Sequence, residues 1–337
     1  MEPSPQRRSP HWAIVVLVLS VTALTSAGVM YTVSEKHHIV SAHLYAATVH
    51  KAQSIENWLN RQRHDAEVLR GTHVFSAMYQ RWRESGDAAA GGDLFDLLRA
   101  YVDHYGYQDI LLVDTSSGQA WNQRGEPAVV DSALQQAIAR DRDEGQATLT
   151  GPHLSADGGH FIEFLAPLRD ASRAPAMIVL RMDLFRFLEP LLAETSTPLA
   201  SIETLLFRRD AGEVQFLHNL WQAPDDPERR RSLATDGLLA AQIINDKGLL
   251  GQVIEGVDYL GVPVIGIALP VPGTDWFLLN KADRAEFYQQ VLEEAFWILL
   301  AGLLSLVAGV VGLNVLFRRQ AVDRKSTRLN SSHVSQS

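Results

Sequence analysis

The chain has 337 residues, 46% of them hydrophobic and 20% charged, with 39 acidic against 30 basic side chains and no cysteine. The missing cysteine excludes a disulfide framework, a thiolate zinc site and a cysteine nucleophile. With the terminal flanks set aside, residues 9–317 carry 37 acidic and 23 basic side chains, a net charge of −14 that makes nucleic acid a poor partner.

Residues 1–11 contain Arg7 and Arg8 and precede 21 uncharged residues from Ala13 to Val33. A bilayer crossing needs about 20 helical residues, so this block predicts a membrane helix over 12–33. A cleaved signal peptide is the alternative, with Thr25-Ser26-Ala27 offering small residues, but apolar cores of such peptides run only about 7–15 residues. No Gly or Pro occurs from Tyr31 to Arg70, and Ile55, Trp58, Leu59, Ala66 and Leu69 recur at helical spacing. A stalk helix is expected over 34–84, its stripe packing on its own domain or pairing with a second copy as a homodimer. Glu84 to Asp93 is small and polar with three glycines and predicts a loop. Leu94, Leu97, Leu98, Tyr101, Val102 and Tyr105 predict a second amphipathic helix.

From Asp109 the pattern changes to short strands: 109–114, a turn ending at Gly118, 119–123, then 146–151, 160–168 and 176–183, with a helix through Ala133 to Ile138 between them. A short helix from Leu184 to Leu192 closes this first module, 85–198. The order then begins again over 199–290. Leu205-Leu206 and Gly212 repeat Leu111-Leu112 and Gly118, and Arg181, Asp183 and Phe187 recur 100 residues later as Lys281, Asp283 and Phe287. An internal duplication of one antiparallel sheet module is expected. Tyr259 to Thr274 carries three prolines and three glycines, too many for a helix, and reads as buried strands.

Ala295 to Phe317 is a second uncharged block, 23 residues long, which predicts a membrane helix over 295–317. Arg318, Arg319, Arg324 and Lys325 follow it. Positive-inside bias then puts both termini in the cytoplasm and residues 34–294 outside, with lipid around the two helices. Residues 318–337 end in KSTRLNSSHVSQS, which shows no helical or strand period and reads as vector-derived sequence after a shortened reading frame.

The stretch GVDYLGVPVIGIALPVPGTDWFLLNKADRAE (256–286), with YGYQDILLVDTSSG (105–118), resembles the double Cache family, tandem PAS-like sensor modules of bacterial receptors. The resemblance covers roughly Tyr45 to Phe287. It implies an α+β fold of two antiparallel-sheet modules between two helices that cross a bacterial inner membrane, a ligand in the first, membrane-distal module, and a histidine kinase or diguanylate cyclase as output. The family's amino-acid pattern, an Arg-x-Trp-Tyr cluster, is absent, because Arg81-Trp82-Arg83 lacks its spacing and tyrosine; this argues against an α-amino acid ligand. On residue chemistry, Tyr107 and Trp121 are candidate aromatic walls, and Asp114, His153 and Arg181 candidate polar contacts, for a small-molecule ligand. No phosphate-cradle, zincin or hydrolase signature is present, so neither a catalytic centre, a cofactor nor a metal is expected. A complete two-pass protein whose exported part binds a partner protein is the competing reading.

Overall fold

The computed structural model describes residues 11–142, 146–154, 160–168, 175–193, 200–217 and 229–334. They divide into two units, one within residues 44–282 and the other formed by residues 11–43 with 283–334.

The larger unit begins within α1 (His11–Gly71), followed by α2 (His73–Ser85) and α3 (Ala88–Tyr105). The helix expected to reach residue 84 is interrupted at Thr72, whose extended backbone (φ −85°, ψ 103°) follows a glycine and starts a new helix. The expected loop over 84–93 shrinks to Gly86-Asp87, because Asp87 caps α3 by accepting from the N–H groups of Ala89 and Ala90. Gly91 then lies inside α3, and a Cβ there would come within 2.5 Å of the Trp82 indole. That glycine serves close approach, not a turn.

The first sheet is antiparallel in the order β2-β1-β5-β4-β3, from β1 (Asp109–Asp114), β2 (Ala120–Trp121), β3 (Thr148–Leu154), β4 (His160–Leu168) and β5 (Ala176–Asp183). α4 (Ser132–Asp141) lies between β2 and β3 in the chain, and α5 (Leu184–Ala193) follows β5. The second sheet has the order β8-β7-β6-β11-β10-β9: β6 (Glu203–Asp210), β7 (Glu213–Phe216), β8 (Arg230–Ser232), β9 (Val253–Val257), β10 (Pro263–Pro270) and β11 (Trp276–Asp283). Between β8 and β9 sits α6 (Leu239–Asn245), a helix, like β8 and β9, that periodicity does not announce because it is too short.

Strand register shows the duplication directly. Leu111 opposes Val179 across β1 and β5, and Leu205 opposes Leu279 across β6 and β11. Gly118 and Gly212 follow at the same spacing with φ of 73° and 83°, a left-handed turn that only glycine enters cheaply. Opposed residues of antiparallel strands share a face, so each sheet has two distinct sides. The even-numbered side of both sheets, Ile110, Leu112, Ile178 and Leu180 in the first and Leu206, Trp276 and Leu278 in the second, joins Ile55, Trp58, Leu59 and Leu69 of α1 in one continuous core. The odd-numbered sides are separate: Leu111, Val113 and Val179 pack on α4, and Leu205, Phe207 and Leu279 pack on α6.

In the other unit, α1 runs antiparallel to α7 (Arg284–Val334). Both helices contain a segment long and apolar enough to cross a membrane, Trp12–Glu35 and Arg284–Arg319. Gly302 faces Thr25 and Gly309 faces Leu17 closely enough that a side chain at either glycine would displace the partner. α7 continues to Val334 although no helix is expected beyond Phe317. Residues 313–334 contain neither Gly nor Pro, so nothing in the backbone stops it.

Candidate functional site

The odd-numbered side of the first sheet ends in a row of charge. Asp109, Arg181 and Glu163 oppose one another across β1, β5 and β4. Glu163 is fully buried, and its Oε1 accepts from Arg181 Nε at 2.9 Å and Nη2 at 2.8 Å. The guanidinium also stands 5.2 Å from the centre of the Phe161 ring, a cation–π contact. Asp109 completes the row, and its Oδ1 is buried without a hydrogen-bond partner among the described residues. Burial pushes the Asp109 carboxyl above its ordinary value, against the opposing pull of Arg181 and the Ile110 N–H. An acceptor without a donor, next to a positioned cation, suits a ligand that brings its own N–H or O–H group.

The second sheet provides an internal comparison. At the equivalent register position Glu203 opposes Lys281. Here every charge is answered from within: Lys281 Nζ donates to Asp258 Oδ2 at 2.6 Å and lies 3.0 Å from Glu203 Oε2. The Tyr259 hydroxyl closes the other side of Glu203 at 2.8 and 3.0 Å. Burial alone would lower the Lys281 pKa, but Asp258 and Glu203 outweigh it and raise it. The slit beside this cluster, lined by Leu205, Phe216, Leu239 and Val264, has no room for a water molecule. One register position therefore carries a self-satisfied cluster in the second sheet and, among the described residues, a carboxylate with one unpartnered oxygen in the first.

The structure does not gather the five residues singled out by the sequence. Arg181 sits in the charged row, where pairing with Glu163 replaces the solvated face that a strand arginine ordinarily occupies. His153 opposes Phe161 in the register of β3 and β4, which brings its backbone to the same end; its side chain lies outside the described residues. Asp114 is at the other end of β1, roughly 17 Å from Asp109 along a six-residue strand. Its carboxylate accepts from Ser116 N–H (2.9 Å), Ser116 hydroxyl (2.6 Å), Ser117 N–H (2.9 Å) and Tyr79 hydroxyl (2.7 Å). Burial raises the Asp114 pKa, but these donors outweigh it and hold the carboxyl well below the usual range. Trp121 joins Asp114 there, edge-on to Trp82 at 5.0 Å and beneath the Arg83 guanidinium at 5.1 Å. Tyr107 turns to the even side, where its hydroxyl donates to Asp65 of α1 at 3.1 Å. Asp109 and Glu163 escape sequence reading because their partnership depends on strand order: β1 neighbours β5, not the strand that follows it. No group of three metal-ligating side chains converges among the described residues.

No family model matches the chain, and no curated protein does. Solved structures do. The ligand-binding domain of the Pseudomonas fluorescens chemoreceptor CtaA in complex with L-isoleucine aligns with a TM-score of 0.51 and 16% identity over 76% of this chain and 98% of that one. The sensory domain of the Campylobacter jejuni chemoreceptor Tlp3 with isoleucine bound gives 0.55 and 11% over 77% and 98%. The ligand-binding domain of the Pseudomonas aeruginosa chemoreceptor PctB in complex with L-Arg gives 0.50 and 16% over 74% and 97%. The fold is that of double Cache sensor domains.

Proposed function

We propose that the protein senses a small molecule outside the cytoplasm and transmits its binding through α1 and α7. The ligand site is the charged end of the first sheet, with Arg181, Asp109 and Glu163 as polar contacts and the strand of His153 at its border. The observation that supports this reading is the buried Asp109 Oδ1, without a hydrogen-bond partner among the described residues, set against the self-satisfied cluster at the same register position of the second sheet. Tyr107, Trp121 and Asp114, which the sequence alone offers as contacts, shape the module from its other side and far end. The output, on the family resemblance alone, is a histidine kinase or diguanylate cyclase, and the working form is a homodimer in the inner membrane.

The test is thermal shift of the full chain in detergent against a panel of amines, amino acids and carboxylates. A ligand at 100 times its Kd stabilises by about 2.7 kcal/mol. The stabilisation is expected to vanish in Asp109→Asn and persist in Tyr259→Phe. A shift that survives Asp109→Asn and Arg181→Met but is lost on changing Tyr259 or Trp276 places the site in the second sheet instead. Reporter fusions after Phe187 and at Arg319 test the topology: active outside and inside respectively, with an inside signal at Phe187 refuting it.

A further inference from the structure

Where α1, α5, β6 and β11 meet, the even side of the second sheet carries a chain of buried polar groups. Lys51, on α1 and 7% exposed, donates through Nζ to the Leu192 carbonyl at 2.9 Å and to Thr204 Oγ1 at 2.7 Å. Thr204 donates to Asn280 Oδ1 at 2.5 Å, and Asn280 Nδ2 donates back to Thr48 Oγ1 on α1 at 3.0 Å. Thr48 in turn donates to the Leu44 carbonyl at 2.6 Å. Thr204 and Asn280 are opposed across β6 and β11.

The duplication shows that the fold does not require polarity there. The same position of the first sheet is filled by Ile110 opposite Leu180, both fully buried. Burying a threonine and an asparagine where isoleucine and leucine suffice, and bringing a lysine of α1 in beside them, costs desolvation that the hydrogen bonds do little more than offset. What the polar version adds is directionality. Apolar contacts are non-directional, whereas this chain of hydrogen bonds ties α1 to β11 at one register and draws in the negative end of α5. α5 follows β5, the strand of Arg181, and begins where Asp183 Oδ1 caps the Phe185 N–H at 2.9 Å. β11 runs directly into α7.

We infer that the Lys51–Thr204–Asn280–Thr48 network is a register pin: it links the segment carrying the proposed ligand site, through α5, to the two elements whose continuations enter the membrane. The pin holds α1 and β11 in step, and displacement of α5 is read at Lys51.

The cysteine-free full chain allows a direct test in membranes, with Thr25→Cys paired to Gly302→Cys or, one turn along α7, to Leu306→Cys. In the background with Lys51, Thr204 and Asn280 intact, oxidation is expected to favour the 25–302 pair. Two variants then remove the pin. Lys51→Met/Thr204→Ile/Asn280→Leu copies the apolar solution of the first sheet, and Thr204→Val changes a single group with no change of shape. A pinning network predicts that the 25–302 preference falls about threefold or more, the range by which residues along a coupling network act. Melting temperature identifies which variants remain folded. An unchanged ratio in either folded variant overturns the inference and leaves the network a purely structural one. The crosslinking is read without ligand, so that failure would leave the proposed sensor site standing, and loss of ligand binding would leave the pin standing.

Discussion

Replacing Arg181 by methionine removes the two Arg181 donors to Glu163 Oε1 and takes away the cation paired with a fully buried carboxylate. Arg181 itself is only 11% exposed, so solvent screens the pair little. Breaking such a buried pair from one side costs about 3–5 kcal/mol. At roughly 2–4 °C per kcal/mol for a domain of this size, the melting temperature should fall by about 6–20 °C. The double change Arg181→Met/Glu163→Met removes both charges and keeps the volume, and most of that loss should return. Tryptophan fluorescence against guanidinium and against temperature, on the full chain in detergent, reads both variants. A single-variant cost below about 1 kcal/mol, the value of exposed pairs, would refute the placement of Arg181 and Glu163 in a buried row.

Asp114→Asn should cost about 1–3 kcal/mol, since it weakens a carboxylate that receives four hydrogen bonds. Because the folded carboxyl is held below its ordinary value, its contribution is complete above the ordinary carboxylate range and is lost as pH falls toward the folded value; the stability gap between wild type and variant should close on acidification, as unfolding curves at stepped pH will show. Gly91→Ala should destabilise although alanine is the better helix former by about 1 kcal/mol, because the new methyl strikes the Trp82 indole and overpacking costs about 1–3 kcal/mol; a raised melting temperature would contradict the close packing. Tyr259→Phe removes the hydroxyl that closes Glu203 and should cost about 1–2 kcal/mol with no loss of ligand response, measured by the same thermal shift.

Much of the architecture is legible in the sequence because its signals are local. β4 and β5 carry strand periods that end at the residues where the structure ends them, and Gly118 and Gly212 mark turns that demand a positive φ. The duplication is legible for the same reason, as a repeat of order and spacing. The loop read over 84–93 fails because composition does not distinguish a glycine that frees the backbone from one, like Gly91, that admits an indole. The candidate site is the least legible part. Arg181 can be picked out as a charge on an apolar strand, but its meaning lies in Asp109 and Glu163, which are 72 and 18 positions away and meet it only through a strand order that skips neighbours. Asp114 illustrates the converse: a conspicuous carboxylate after an apolar run whose acceptor capacity is consumed by the turn it begins.

The seam between α1 and α7 is set by two glycines of α7. Gly302 and Gly309 lie seven residues apart, so they fall on one stripe of α7, and each leaves its facing side chain almost no clearance. A graded series at Gly302, through alanine, serine and valine, would prise the two helices apart by successive small increments, with the sensor unit untouched. Under the proposed sensing function, such substitutions are expected to set the resting bias of the helices while sparing the response to ligand. Under that same proposal, gain and recognition fall in separate stretches of the sequence.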